Sequence, residues 1–311
     1  MARHKHPQGR GGRMPRLAYI MYSALKSGAM SAVQTGELCR SGLAGSHDLA
    51  ILRRDGQMLT QRECPRLALL HSACQLGARV ISVDLVLPST QSFTADFRRA
   101  ELAGVEGIFN GDQIPCLDAG DRAAAFVTAF AGEPCRLLIR DYARDRQTKW
   151  THAEVKSSIA CQDGWPFTIV SVESLRAVAT AAGLKDVELL ALIKRIRPTL
   201  VVDGIDAFEE DTWKRIRIKT VRGDWITLVV IKRRGRCELP NVNPTTGAVD
   251  WVQSSRLVKV LVERMERLLP EYPGNLGSHR IAALAIALGL QDPQARGTVA
   301  LGAGIEVLDH W

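Results

Sequence analysis

Apolar stretches of strand length, separated by glycine-bearing turns, dominate the first half of this chain, and strand-like and helical periodicities alternate in the second. Leu17 to Leu25 is a mostly apolar run. Leu49 to Leu59 carries an Arg54-Asp55-Gly56 turn, and Leu67 to Leu76 and Arg79 to Leu87 flank Gly77, which predicts hairpins. Further β-rich sequence from Phe93 to Phe109 extends a barrel or meander. Asp118-Ala119-Gly120-Asp121 then opens an alanine-rich helix. Its Ala123, Phe126, Val127 and Phe130 recur at helical spacing, and Gly132 stops it.

A charged, aperiodic stretch from Asp141 to Lys156 breaks this pattern and predicts a linker. Beyond it, Phe167 to Val170 reads as a strand running into a helix capped at Ser171 and ended at Gly183, with a second helix from Asp186 to Arg195. Strands follow at Leu200 to Val202, Trp213 to Lys219 and Trp225 to Lys232, the last two a hairpin around Arg222-Gly223-Asp224. A helix from Ser255 to Leu269 and strand-like runs at Ile281 to Leu288 and Gly297 to Leu308 close the chain. The predicted class is mixed α/β, predominantly β. It divides into a basic tail over residues 1–16, a β-barrel-like domain over 17–150 and a β-barrel domain with flanking helices over 151–311.

With 311 residues and 46% hydrophobic positions the chain can build a real core. Its longest apolar run, Ile281 to Leu290, is about half of what a spanning helix needs, so no membrane segment is expected. The net charge of +8 suggests nucleic acid, but Arg3, Lys5, Arg10, Arg13 and Arg16 supply five of those charges in a stretch without any acid. The tail therefore reads as a solvated extension, and the body carries no nucleic-acid-binding signature. The seven cysteines are odd in number, contain no Cys-x-x-Cys pair and follow no secretory signal, which argues against a disulfide framework and for a reducing cytoplasm. Their spacing also excludes a built-in plant-type iron–sulfur domain.

One cysteine stands out. Cys237 ends a strand-like run in Arg233-Arg234-Gly235-Arg236-Cys237 and precedes the turn string Asn243-Pro244-Thr245-Thr246-Gly247. Flanking positive charge favours the thiolate, the form that binds soft metals and attacks electrophiles. The alternative is a buried cysteine acting as a small hydrophobe. Taken singly, Lys26 reads as a solvated lysine at a strand end, Asp163 as a turn residue and Arg197 as an ion-pair partner of Asp203 or Glu209.

Seven strings change that reading. Lys26-Ser27, Thr60-Gln61-Arg62-Glu63-Cys64-Pro65, Asp118-Ala119-Gly120-Asp121, Asp163-Gly164-Trp165-Pro166, Arg195-Ile196-Arg197-Pro198-Thr199-Leu200-Val201-Val202, Asp211-Thr212-Trp213, and Arg236-Cys237 with Asn243-Pro244-Thr245-Thr246-Gly247 occur in one order along the chain. In that order the chain resembles MOSC-domain proteins with an amino-terminal β-barrel, the group that includes the mitochondrial amidoxime-reducing component and its bacterial relatives. The resemblance covers Leu17 to Leu308.

It implies a molybdenum cofactor, a pterin dithiolene with a phosphate tail. Cys237 would be the protein thiolate on the metal. Lys26, Ser27 and Arg197 would hold the anionic tail and pterin, with Arg62 and Thr199 in the same cofactor site, and Asp163 would be the acid near the metal that relays protons. The chain departs from the family pattern at several of these places. Ser46-His47 stands where an Asp-Arg pair is usual, and Leu49 replaces an aromatic. Gly164 and Trp165 replace small hydroxyl residues, Thr199 replaces an asparagine, and Gly302-Ala303 replaces a glycine-aspartate. Arg62, Arg40, His47 and the arginines around Cys237 are the candidates to supply the missing donors. The implied function is a molybdenum-dependent oxidoreductase that reduces an N-hydroxylated substrate with electrons from a separate iron–sulfur, flavin or haem protein. The alternative is a MOSC scaffold that has lost the cofactor and binds another ligand, or uses Cys237 as a sulfur carrier or nucleophile.

Overall fold

The computed structural model describes residues 14–144, 146, 155, 158–184, 187–236, 239–250, 256–257, 259–264 and 282–311. Most of the basic tail and most of the predicted linker lie outside the described residues, and so does Cys237. In the first half the strands are β1 (Arg16–Tyr22), β2 (Ser31–Val33), β3 (Thr35–Cys39), β4 (Gly42–Leu43), β5 (Leu49–Arg53), β6 (His71–Leu76), β7 (Val80–Val86) and β8 (Ser92–Arg98). They are followed by β9 (Gly104–Phe109), β10 (Asp112–Asp118), helix α1 (Gly120–Ala131) and β11 (Cys135–Arg140). The second half carries β12 (Phe167–Ser171), α2 (Val172–Ala181), α3 (Leu189–Ile196), β13 (Leu200–Asp203), β14 (Trp213–Lys219), β15 (Trp225–Arg236), β16 (Ala282–Leu290), β17 (Gly297–Ala300) and β18 (Ile305–His310). The fold is mixed α/β and predominantly β.

One eight-stranded sheet, in the order β18-β14-β15-β16-β12-β13-β1-β2, takes strands from both ends of the chain. Its strands alternate between two apolar layers. Leu200 and Val202 of β13, Ile169 of β12 and Ile286 of β16 join one core with Trp213, Ile216 and Leu228. Val201, Val170 and Ala285 face the other way, onto Leu175 and Val178 of α2 and Leu192, Ile193 and Ile196 of α3. A strand covered on both faces needs apolar residues at every position, which is why Leu200 to Val202 has no polar member. Each such side chain contributes about 1.5–3 kcal/mol on burial. In the first half, β5-β11-β10-β9 and β6-β7-β8 form two smaller antiparallel sheets around a core that α1 completes with Ala123, Val127 and Phe130.

Local signals act as expected at the helix ends. Ser171 Oγ accepts from Ser174 N at 2.9 Å to cap α2, and Gly132 closes α1 at φ +79°. One run differs from the sequence expectation, and β2 to β4 and β10 are strands that it did not include. The run from Gly297 to Leu308 is two strands, because a turn through Gly302 at φ +79° sends β17 to β3 and β18 to β14. Strands β2 to β4 are too short to show a period. Strand β10 sits between β9 and β11 despite Pro115, a residue that argues against a central strand. Within the predicted linker, the described residues are tied down: Arg144 Nε donates to Asp141 at 2.9 Å, and Arg146 Nη1 donates to Ala160 O and Gln162 O at 2.8 Å each.

The sheet register decides where the chemistry collects. Strand β1 runs antiparallel to β13 with Ile20 opposite Leu200, so the residues after β1 and those before β13 meet at one end of the sheet. Strand β12 runs parallel to β13 with Ile169 opposite Leu200, which brings the residues before Phe167 to the same end. The segments around Lys26, Asp163 and Arg197, far apart in sequence, converge there.

Candidate functional site

A cleft of about 170 Å³ occupies this sheet end, lined by Lys26, Ser27, Arg62, Asp163, Arg197 and Thr199 among others. The described residues predicted for the site therefore share one cavity. Cys237 lies outside the described residues. Leu239 and Pro240, two and three positions further along the chain, line the cleft.

Among the described residues, four cations line this cleft, Lys26, Arg62, Arg195 and Arg197, with one carboxylate, Asp163. Their settings differ. Lys26 is 3% exposed, not the solvated lysine its sequence position suggests. Its Nζ donates to Asp163 Oδ1 at 2.7 Å and Cys161 O at 2.8 Å, and lies 3.5 Å from the centroid of the Phe109 ring. Burial pushes this ammonium below the ordinary lysine range, opposed by Asp163. Lys26 thus anchors Asp163, whose side chain is 41% exposed.

Arg197 ends α3 in the left-handed conformation at φ +54°, and its Nη1 donates to Gly28 O at 2.7 Å. That bond ties the approach to β13 to the loop after β1; Asp203 pairs instead with Arg16 at 3.4 Å. Arg195, 7% exposed, donates to Pro240 O at 3.1 Å and faces Asp250 at 3.4 Å, fixing the turn at Leu239–Asn241 against α3. Burial lowers its guanidinium pKa, opposed by Asp250. Arg62 is set by a capping box: Glu63 accepts from Thr60 N at 2.9 Å and Thr60 Oγ1 at 2.7 Å, while Thr60 Oγ1 accepts from Arg62 N at 3.2 Å. The Thr199 hydroxyl accepts from Thr168 N at 3.3 Å, and its backbone N–H donates to Thr168 Oγ1 at 3.0 Å, which locks β12 and β13 together at the rim.

Backbone strain gathers here. Ser27, His47 and Arg197 all take positive φ, at +60°, +59° and +54°, and all three line the cleft. A side chain in this region costs of order 1–3 kcal/mol and persists only where its surroundings over-determine it. Gln61 Nε2 holds Ser27 by its carbonyl at 2.7 Å; His47 is held at both backbone groups, its N–H donating to Ser23 O at 2.8 Å and its carbonyl accepting from Cys161 N at 3.0 Å. Ser46 Oγ donates to Ser23 O at 3.1 Å and lies 2.9 Å from His47 Nδ1, which sets the imidazole against the Ser46 hydroxyl.

Sequence reasoning named His47 only as a candidate replacement donor, and the cleft does hold it; it nominated neither Arg195 nor Thr168. The Arg195–Thr199 string and the Ser46-His47 departure were the available signals. Arg40, considered as a replacement donor, lines a different cavity. Trp165, 4% exposed, forms part of the cleft wall, with Lys232 Nζ 5.9 Å from its ring centroid. Among the described residues no group of three His, Cys, Asp or Glu side chains is placed to hold a metal ion, and no helix is long and apolar enough to cross a membrane.

The chain matches two family models, the MOSC N-terminal beta barrel domain over residues 14–134 and the MOSC domain over residues 156–277. The chain belongs to the MOSC-domain proteins that carry the N-terminal MOSC β-barrel domain. It is similar to mitochondrial amidoxime-reducing component 1 of Mus musculus, 27% identical over 246 residues that cover 75% of this chain and 67% of that one. The Homo sapiens protein of the same name is 28% identical over 219 residues, 68% of this chain and 60% of its own length. Molybdenum cofactor sulfurase of Danio rerio is 22% identical over 241 residues, 74% of this chain and 28% of that one. The matched region thus spans less than two thirds of the human relative.

Proposed function

We propose that the cleft binds the phosphate-bearing pterin of the molybdenum cofactor and that the protein is an oxidoreductase that removes oxygen from an N-hydroxylated substrate. The observation that carries this reading is the convergence of Lys26, Arg62, Arg195 and Arg197 at one sheet end, beside the hydroxyls of Ser27, Thr168 and Thr199. A bound phosphate needs several donors and at least one fixed cation, and this donor set fits one. The names of the similar proteins, amidoxime-reducing components and a molybdenum cofactor sulfurase, point to the same chemistry.

When bound, the cofactor supplies a centre that takes up oxygen and exchanges electrons. Arg62 and Arg197 would hold its anionic tail, and Cys237 is the proposed thiolate ligand. Asp163, its Oδ1 fixed by Lys26 and its side chain partly exposed, would relay a proton from solvent to the departing oxygen. Overall the N–O bond breaks, two electrons and two protons are consumed, an N–H bond forms and water leaves. The electrons come from a separate iron–sulfur, flavin or haem protein. The six described cysteines are free, which supports a reducing compartment such as the cytoplasm.

A second reading, a scaffold that binds another ligand without the cofactor, is favoured by Trp165 in the wall and His47 where the family has an arginine. Turnover separates the two. Protein from a cofactor-producing host, given a chemical reductant and an amidoxime, should release the amidine, and Asp163→Asn should lose most of kcat while keeping its metal. Absence of turnover in a folded protein that lacks molybdenum would favour the scaffold.

A further inference from the structure

A second cavity, of about 840 Å³, opens on the other side of the segment from Cys39 to His47. Cys39, Arg40, Ser41, Ala44 and Gly45 line it, whereas Leu43, Ser46 and His47 line the cleft, so one stretch of backbone serves as a wall for both. Four arginines face the second cavity, Arg40, Arg99, Arg140 and Arg296, with Glu37 the one carboxylate among its lining residues. Glu37 pairs with Arg296 at 2.9 Å. Arg140 donates to Ser158 Oγ at 2.9 Å and faces the buried Asp48 at 3.8 Å.

Arg99 is different. It forms no ion pair with a carboxylate among the described residues, and its Nε, shielded from solvent, makes no hydrogen bond. Its guanidinium lies 5.8 Å from the Tyr142 ring centroid, and that of Arg140 lies 4.3 Å from the same ring. Two guanidiniums are therefore gathered on one aromatic ring at the wall of the cavity, Arg140 with Asp48 beside it and Arg99 with no carboxylate paired to it among the described residues. Such an arrangement is stabilised by an anion with several acceptor oxygens, because each guanidinium presents a planar fork of donors. The volume falls within the range of roughly 300–1,000 Å³ that holds small organic ligands.

We infer that this second cavity is a binding site for a phosphate-bearing small molecule of up to nucleotide size, separate from the cleft. The inference is independent of the proposed reaction. It is tested by isothermal titration of the full chain with inorganic pyrophosphate, for the wild type, Arg99→Ala, Arg40→Ala and Arg62→Ala. The Arg99 side chain makes no hydrogen bond to a described residue, and Arg99→Ala keeps the backbone bonds to Arg79 and Leu102, so the replacement should leave the melting temperature near the wild-type value. Loss of one charged contact should weaken pyrophosphate binding about tenfold in Arg99→Ala and in Arg40→Ala, while Arg62→Ala, altered only in the cleft, keeps this site. Affinity within about twofold of wild type in both cavity variants, or binding abolished by Arg62→Ala alone, would overturn the inference.

Discussion

Ser27 gives the cleanest separation of backbone strain from function. It sits at φ +60°, is 7% exposed, and makes no side-chain hydrogen bond to another described residue. Replacing it with glycine removes the left-handed penalty of about 1–2 kcal/mol. The added freedom of glycine in the unfolded chain takes back about 0.4–1 kcal/mol. Ser27→Gly should therefore stabilise the protein by about 0.5–1 kcal/mol, a rise of roughly 2 °C in melting temperature for a chain of this size. Ser27→Ala keeps the strain and should leave stability near the wild-type value. The assay is paired urea denaturation of the three proteins, read together with their molybdenum content. Both variants lack the hydroxyl assigned to the cofactor and should retain less metal, so stability and function move in opposite directions for glycine. If glycine and alanine prove equally stable, or if glycine destabilises, the positive φ stores no strain and the reasoning fails.

The remaining predictions concern neighbouring groups. Lys26 is buried but Asp163 is 41% exposed, so the pair's coupling is partly screened; a double-mutant cycle with Lys26→Met and Asp163→Asn should read about 1–2 kcal/mol, and a value near zero would show that the contact holds nothing in place. Burial raises the Asp48 carboxyl from 3.8 to about 6, against the opposing pull of Tyr142 and Arg140, so the proton it binds favours the folded state below about pH 4 and that stabilisation is lost as pH rises through 6. Asp48→Asn should flatten the stability profile between about pH 4 and pH 7 by up to ~3 kcal/mol, and an unaltered profile from urea titrations would remove Asp48 as its source. Gly42, at φ +112° in the wall between the two cavities, would place a Cβ 2.6 Å from Pro166 O, so Gly42→Ala should cost about 2 kcal/mol or more; a melting temperature equal to wild type would contradict the packing described for that wall.

The apolar periods located β1, β6, β7, β12 to β15 and all of α1 to α3 within a few residues, because each carries a period and a chemically explicit stop such as Gly77, Ser171 or Gly132. They were silent on β2 to β4, which are too short for a period, and on β10, where Pro115 lies in an inner strand. The pairing of β1 with β13 is a long-range contact with no local signature, yet it is what brings Lys26 and Arg197 to one end of the sheet. For that reason the motif strings could nominate Lys26, Ser27, Arg62, Asp163, Arg197 and Thr199 but could not say that Lys26 turns inward to Asp163 and Phe109. Arg146, which fixes the segment carrying Asp163 through Ala160 O and Gln162 O, lay inside what read as a linker. The four arginines of the second cavity come from four separate segments, so no window of sequence contains them together.

Arg62 and Arg197 are the residues proposed to make the cleft a holder for the anionic end of a molybdenum cofactor. The direct measurement is molybdenum and released pterin per chain after purification from a cofactor-producing host, for the wild type and the Arg62→Ala/Arg197→Ala double variant, with circular dichroism to establish that both are folded. Near-stoichiometric metal and pterin in the wild type, falling to a small fraction in the double variant, is the predicted result. A folded wild type without either, or a double variant that keeps both at the wild-type level, would contradict it.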